Sequence, residues 1–156
     1  MKKDLVSILI TNYNKANFLK KSIKSCLRQT YINKEIILFD DLSSDKSHKI
    51  LKKLKNKKIK IIYNKQKKFN SGPLNQLHGI KILFKKSKGK IIFLLDSDDI
   101  FFKNKLDYIT KIFINHEKMN FIQDTPSFNK QKIKFELKKK ITLFQYGQVF
   151  ILQVVL

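Results

Sequence analysis

Residues 90–101 read KIIFLLDSDDIF, an unbroken apolar run that ends in three carboxylates, Asp96, Asp98 and Asp99, before apolar residues resume. Carboxylates this close repel one another unless hydrogen bonds or a cation offset the charge. Hard oxygen donors with no His or Cys beside them suit Mg²⁺ or Mn²⁺ rather than zinc, and Mg²⁺ usually takes one or two carboxylates plus water and substrate phosphates. A second acidic group, Asp40-Asp41 with Asp45, follows the apolar run EIILF, and six of the nine Asp residues fall in these two places. A third polar cluster, Thr11-Asn12-Tyr13-Asn14, follows LVSILI. Asp41 could accept hydrogen bonds from a ribose or nucleobase, and Tyr13 could stack on a base. The plainer alternatives are that these acids cap helices and that Tyr13 plugs the rim of the core.

The elements that must position these groups alternate in type. Leu5–Ile10, Glu35–Phe39, Lys58–Tyr63 and Ile91–Leu95 read as strands, the apolar ones as buried parallel strands. Between them, helical spacing places Phe18, Leu19, Ile23, Cys26 and Leu27 on one face, with Asn14 as the expected cap. Ser43, Ser44 and Asp45 supply cap chemistry for a helix bearing Ile50, Leu51 and Leu54. A third helix turns Leu74, Leu77, Ile80, Leu83 and Phe84 inward and closes at Lys88-Gly89, and a further one carries Leu106, Ile109, Ile112 and Phe113. Strand alternating with helix means an α/β layered fold, a mostly parallel sheet with helices on both faces. Ligands of such sheets bind beyond the carboxyl ends of the strands, near a switch in strand order. The three polar clusters all stand at such ends, so topology should gather them on one rim.

The chain has 156 residues and a formal net charge of +22, with 34 Lys+Arg against 12 Asp+Glu. This length suits a single domain over 1–156. The charge fits a lysine-coated surface or attraction to a polyanion. Arg28 is the one arginine, and base-edge readout leans on the guanidinium, so specific nucleic-acid recognition is not expected. Cys26 stands alone in a helical pattern, a structural thiol of a reducing compartment. His48, His78 and His116 lack metal-ligand spacing. The start MKKDLVSILI is too short for a signal peptide and no run approaches the ~18 apolar residues of a membrane span. A cytoplasmic protein follows, with room for peripheral contact at the inner membrane face.

The stretch VSILITNYNKANFLKKSIKSCLRQTYINKEIILFDDLSSDKS, followed by KGKIIFLLDSDDIFFKNKL, resembles the amino-terminal half of family 2 glycosyltransferases over residues 4–115. The resemblance implies a Rossmann-like GT-A fold, a nucleotide-diphospho-sugar donor, and inverting transfer of the sugar to the hydroxyl of a glycan or lipid-linked acceptor. It also implies that Thr11, Asn12, Tyr13, Asn14, Asp40, Asp41, Asp96 and Ser97 bind the nucleotide-sugar, with Asp41 reading the base. Asp96 and Asp98 would form the D-x-D, Asp98 being the direct metal ligand and Asp99 its neighbour. Gln76-Leu77 stands where many relatives carry Arg-Asn, and a lysine of the Lys65–Lys68 loop is the expected substitute on the phosphates.

No catalytic base is identifiable: Asp107, Glu117, Asp124 and Glu136 are the acids after Asp99, and none matches a base motif. Residues 116–156 are atypical for the family. The apolar ending TLFQYGQVFILQVVL reads as a sheet-edge strand, a surface meeting a partner chain or dimer mate, or the product of a truncation or frameshift. Three readings stay open: a donor-binding half of a glycosyltransferase, an inactive nucleotide-binding remnant, and a basic polyanion-binding module.

Overall fold

A computed structural model of the chain describes residues 4–54, 58–116, 119, 121–124 and 149–153. The strands are β1 (Val6–Asn12), β2 (Lys34–Asp40), β3 (Ile59–Tyr63), β4 (Ile91–Asp96), β5 (Phe121–Asp124) and β6 (Val149–Gln153). The helices are α1 (Ala16–Leu27), α2 (Ser47–Leu54), α3 (Gly72–Lys86) and α4 (Lys105–Asn115). All six strands form one sheet in the order β3-β2-β1-β4-β6-β5. The pairs β3–β2, β2–β1 and β1–β4 are parallel, whereas β4–β6 and β6–β5 are antiparallel. The expected mostly parallel α/β sheet is therefore present.

Helices cover both faces. Leu19, Ile23 and Cys26 of α1, Leu51 of α2 and Leu106, Ile109 and Phe113 of α4 pack on Ile8, Ile10, Ile36, Leu38, Phe93 and Leu95. Leu83 of α3 packs on Leu9, Ile37, Phe39 and Ile92 from the other side. Strands buried on both faces must be apolar at successive positions, which is why VSILI and IIFLL read as runs and not alternations. Each fully buried Ile or Leu contributes roughly 1.5–3 kcal/mol by leaving water.

Four local expectations are corrected. Leu74, Leu77 and Phe84 of α3 face outward, 47, 47 and 41% exposed, while Asn75, Gly79 and Leu83 face inward. Gly79 sets that orientation, because α3 lies so close to β2 that a Cβ there would be 2.6 Å from the Phe39 ring. Asn14 does not cap α1: Lys15 is the cap residue, and Asn14 takes a left-handed φ of 53°. Gly89 is not a left-handed helix terminator. Its need is close approach, since a Cβ would lie 2.4 Å from the Ser7 backbone nitrogen. Finally, β6 lies between β4 and β5 inside the sheet, not at its edge. The rest of the apolar ending, residues 142–148 and 154–156, lies outside the described residues, as do Glu117 and Glu136. Among the described residues no helix is long and apolar enough to cross a membrane.

Candidate functional site

Register decides the site. Asn12 of β1 pairs with Asp40 of β2, Thr11 pairs with Phe39, and on the other side Thr11 pairs with Asp96 of β4. The carboxyl ends of three strands are thus flush, separated by only the ~4.8 Å between neighbouring strands. Successive strands leave β1 in opposite directions, so β1 and β4 flank the switch in strand order where open α/β sheets bind ligands. Thr11, Asn12, Asp40 and Asp96 are the last residues of their strands, held by the ladder instead of lying in loops after it.

Side chains knit the rim together. Thr11 Oγ1 donates to Asp96 Oδ1 at 3.3 Å, and Gln76 Nε2 from α3 donates to the same oxygen at 2.6 Å. Asn12 Nδ2 donates to Asp40 Oδ1 at 2.6 Å, and Ser43 Oγ donates to that oxygen at 2.7 Å. Asp40 is buried and spent on these internal bonds. Asn12 Oδ1 is buried with no hydrogen-bond partner among the described residues. Asp41, also buried, accepts from Asn64 Nδ2 at 2.6 Å, and its backbone N–H donates to Asn12 O. Asn14 Oδ1 accepts the N–H groups of Ser44 and Asp45, so it ties the loop after β1 to the loop after β2. Asp45 does cap α2, accepting Ser47 N–H at 2.8 Å, and its second oxygen takes Ala16 N–H of α1. Burial pushes its carboxyl up, but Ser47 and the backbone N–H groups around it outweigh that and hold it below the ordinary value.

Tyr13 is 46% exposed, so it does not plug the core; Lys67 Nζ lies 3.7 Å from its ring centroid. That brings one lysine of the Lys65–Lys68 loop to the rim. Ser97 is buried and its N–H donates to Thr11 O. Asp98 projects outward and pairs with Lys15 Nζ at 2.6 Å.

The electrostatics follow from this crowding. Burial first, and then Asp98 and Asp99, push the Asp96 carboxyl above its usual range against the bonds from Thr11 and Gln76. Burial and Asp98 do the same to Asp99, opposed by Lys105 and Lys15. Lys15 is raised, chiefly by its bond to Asp98. Burial pushes Lys105 down to about 8 even though Asp99 pulls the other way.

Every residue expected at the site therefore reaches one rim, with the acids of 96–99 beside the ends of β1 and β2. Lys15, Ser43, Asn64, Gln76 and Lys105 complete it and were missed as site residues. Asn64 had a signal, being the polar residue just past β3; Gln76 had one in standing where many relatives carry Arg-Asn, but its bond to Asp96 depends on how α3 is turned. Two cavities of about 540 and 530 Å³ flank the rim, one lined by Lys15, Phe18, Lys46 and Lys49, the other by Phe39, Ile62, Asn64 and His78. Among the described residues no three His, Cys, Asp or Glu side chains converge as a ready-made metal cage. The donor set instead fits a Mg²⁺-type site of one or two carboxylates completed by phosphates, and Asp98 already draws a cation in Lys15.

The glycosyl transferase family 2 model matches residues 7–154. An uncharacterized glycosyltransferase of Rickettsia bellii is 39% identical over 127 residues, 80% of this chain and 17% of that protein. The Escherichia coli UDP-Glc:alpha-D-GlcNAc-diphosphoundecaprenol beta-1,3-glucosyltransferase WfgD is 32% identical over 140 residues, 88% of this chain and 53% of WfgD. The chain thus spans about half the length of one relative and less of the other. Among solved structures, Staphylococcus aureus TarS residues 1–349 in complex with UDP-GlcNAc superimposes with a TM-score of 0.70 at 18% identity, covering 95% of this chain and 45% of that one.

Proposed function

This chain belongs to glycosyl transferase family 2 and has its GT-A fold, and on that premise we propose that it is the donor-binding part of an inverting, metal-dependent sugar transferase. The observation that carries the proposal is the register of β1, β2 and β4, which sets Asp96 opposite Thr11 and Asp40 opposite the adjacent Asn12. The donor is a nucleoside-diphosphate sugar. Its base lies against Tyr13 and within reach of Asp41, whose position Asn64 fixes. Its diphosphate lies toward Asp98 and Asp96, which would hold Mg²⁺ or Mn²⁺, and Lys67 is the cation available on the Tyr13 side.

A bound divalent ion supplies neutralisation of the charge that develops on the departing diphosphate. The protein's own groups orient and hold: Gln76 and Thr11 fix Asp96, and the Asn12–Asp40–Ser43 cluster fixes the loop under the nucleotide. The acceptor is a hydroxyl of a glycan or lipid-linked sugar that attacks the anomeric carbon from the face opposite the diphosphate and loses its proton to a base. Among the described acids Asp107 is engaged by the Thr30 hydroxyl, and no residue is assigned as that base.

The test is thermal unfolding with UDP, GDP or dTDP, each with and without Mn²⁺. A ligand at 100 times its Kd stabilises by about 2.7 kcal/mol, which for this chain length is roughly a 5–10 °C rise. We expect the rise for one nucleotide, only with metal, and its loss in Asp98→Asn. A rise independent of metal, or intact in that variant, refutes the reading. Salt-sensitive polyanion binding that survives Asp98→Ala would mark a basic module instead.

A further inference from the structure

The three clustered carboxylates are engaged in different ways. Asp96 is largely buried and held by Thr11 and Gln76. Asp99 is half-buried and faces Lys105, itself largely buried. Asp98 alone reaches the surface, and its partner is Lys15 at 2.6 Å, with both side chains substantially exposed. Lys15 also forms part of the wall of the cavity of about 540 Å³ beside α1, together with Asn17 and Phe18.

We propose that Lys15 is a displaceable counter-cation: it holds Asp98 while the divalent ion is absent and surrenders that carboxylate when the ion arrives. The inference rests on the reading of Asp98 as a metal ligand and adds what occupies that ligand beforehand. Three observations support it. The pair is exposed, and such pairs are weak, so a doubly charged ion displaces the ammonium at small cost. A lysine head is compact and strongly hydrated, and it regains water on release. Its four-carbon stem borders an open cavity, so the side chain has room to move. Lys105 is largely buried and lines neither of the two cavities, so its side chain has less room to leave. The arrangement makes Asp98 the ligand that can be exchanged and leaves Asp96 and Asp99 fixed around it. It also relieves like-charge repulsion at the rim while no metal is bound.

Metal affinity should then carry the cost of expelling Lys15. The test is direct titration of Mn²⁺, without nucleotide, at low ionic strength, into the unaltered chain, Lys15→Met and Lys15→Arg, reading free Mn²⁺ by electron paramagnetic resonance. An exposed ion pair accounts for up to about fivefold, and removing a unit positive charge a few ångströms from the ion adds the rest. Lys15→Met is expected to bind Mn²⁺ about tenfold more tightly, which is about 1.4 kcal/mol. Lys15→Arg keeps the charge and should stay within about twofold of the unaltered chain. A merely structural lysine would not give tighter binding on removal and parity on charge-preserving replacement. Equal or weaker Mn²⁺ binding by Lys15→Met overturns the role of Lys15 and leaves the metal reading standing. Absence of millimolar Mn²⁺ binding in all three proteins, both without nucleotide and with UDP, GDP or dTDP present, overturns both.

Discussion

Replacing Gly89 with alanine tests whether the far end of the sheet is as tightly closed as its geometry requires. The added Cβ would lie 2.4 Å from the Ser7 nitrogen, 2.5 Å from Ser7 Oγ and 2.8 Å from the Val6 carbonyl carbon. Ordinary non-bonded separations are about 3.5 Å, so the shortfall is roughly 1 Å. Ser7 cannot yield it, because β1 is hydrogen-bonded to β2 on one side and β4 on the other. Gly89 must retreat, and it gives up the bond from its N–H to Ser7 Oγ, 2.8 Å long. The same movement strains Lys88 N–H to Glu35 Oε1 at 2.6 Å and Lys90 N–H to Leu5 O at 2.9 Å. Overpacking costs about 1–3 kcal/mol, and a lost hydrogen bond adds about 1 kcal/mol. Together they predict a loss of about 2–4 kcal/mol. Urea unfolding should show this as a midpoint lower by about 1–2 M at unchanged slope. Gly72→Ala is the control: its Cβ meets nothing within 4 Å, and it should move stability by less than about 1 kcal/mol. A midpoint for Gly89→Ala within about 0.3 M of the unaltered chain would refute the packing argument.

Asp40→Ala removes the shared acceptor of Asn12 Nδ2, Ser43 Oγ and Ser43 N–H and should cost about 2–4 kcal/mol in urea unfolding, which would mark Asp40 as a structural support of the rim. The folded pKa of Lys105 is depressed to about 8, so the unfolded chain binds the extra proton between pH 8 and 10.5 and stability gained at this site rises with pH across that window. Between pH 8 and 9.5 the unaltered chain should therefore gain stability relative to Lys105→Met, by up to about 3 kcal/mol over the full shift; parallel curves would count against the burial of Lys105. Cys26 is fully buried, and burial pushes its thiol up to about 12. It should react with Ellman's reagent only in urea, and fast labelling of the folded chain would show that α1 does not seal it.

Much of this was legible in the order of residue types. Strands buried on both faces must be continuous apolar runs, and three such runs ending in polar residues, with the alternating strand KIKIIY, marked both the sheet and the rim. Distances between sequence-remote groups were legible only through topology: Asp96 is 85 residues from Thr11, yet parallel pairing puts them opposite each other. What escaped depended on facts no local pattern contains. The hydrophobic residues of α3 mislead because Gly79 and the buried Asn75 choose its inner face; Asn75 is drawn in by bonds to Phe69 N–H and Phe69 O. The interior place of β6 is fixed by pairing with β4 and β5 across a wide sequence gap, and an apolar strand reads alike at an edge or inside. Lys15 and Lys105 were hidden among the 34 basic residues, since charge count alone cannot say which lysine meets a carboxylate.

Asn14 carries a consequence for how ligand binding is felt. Its backbone is turned into the left-handed region, and its amide oxygen receives two N–H groups from the loop that follows β2. The residue beside it is Lys15, partner of Asp98. The two loops are tied at a single side chain, so a displacement of the backbone at Ser44 and Asp45 is passed directly to the residue next to Lys15.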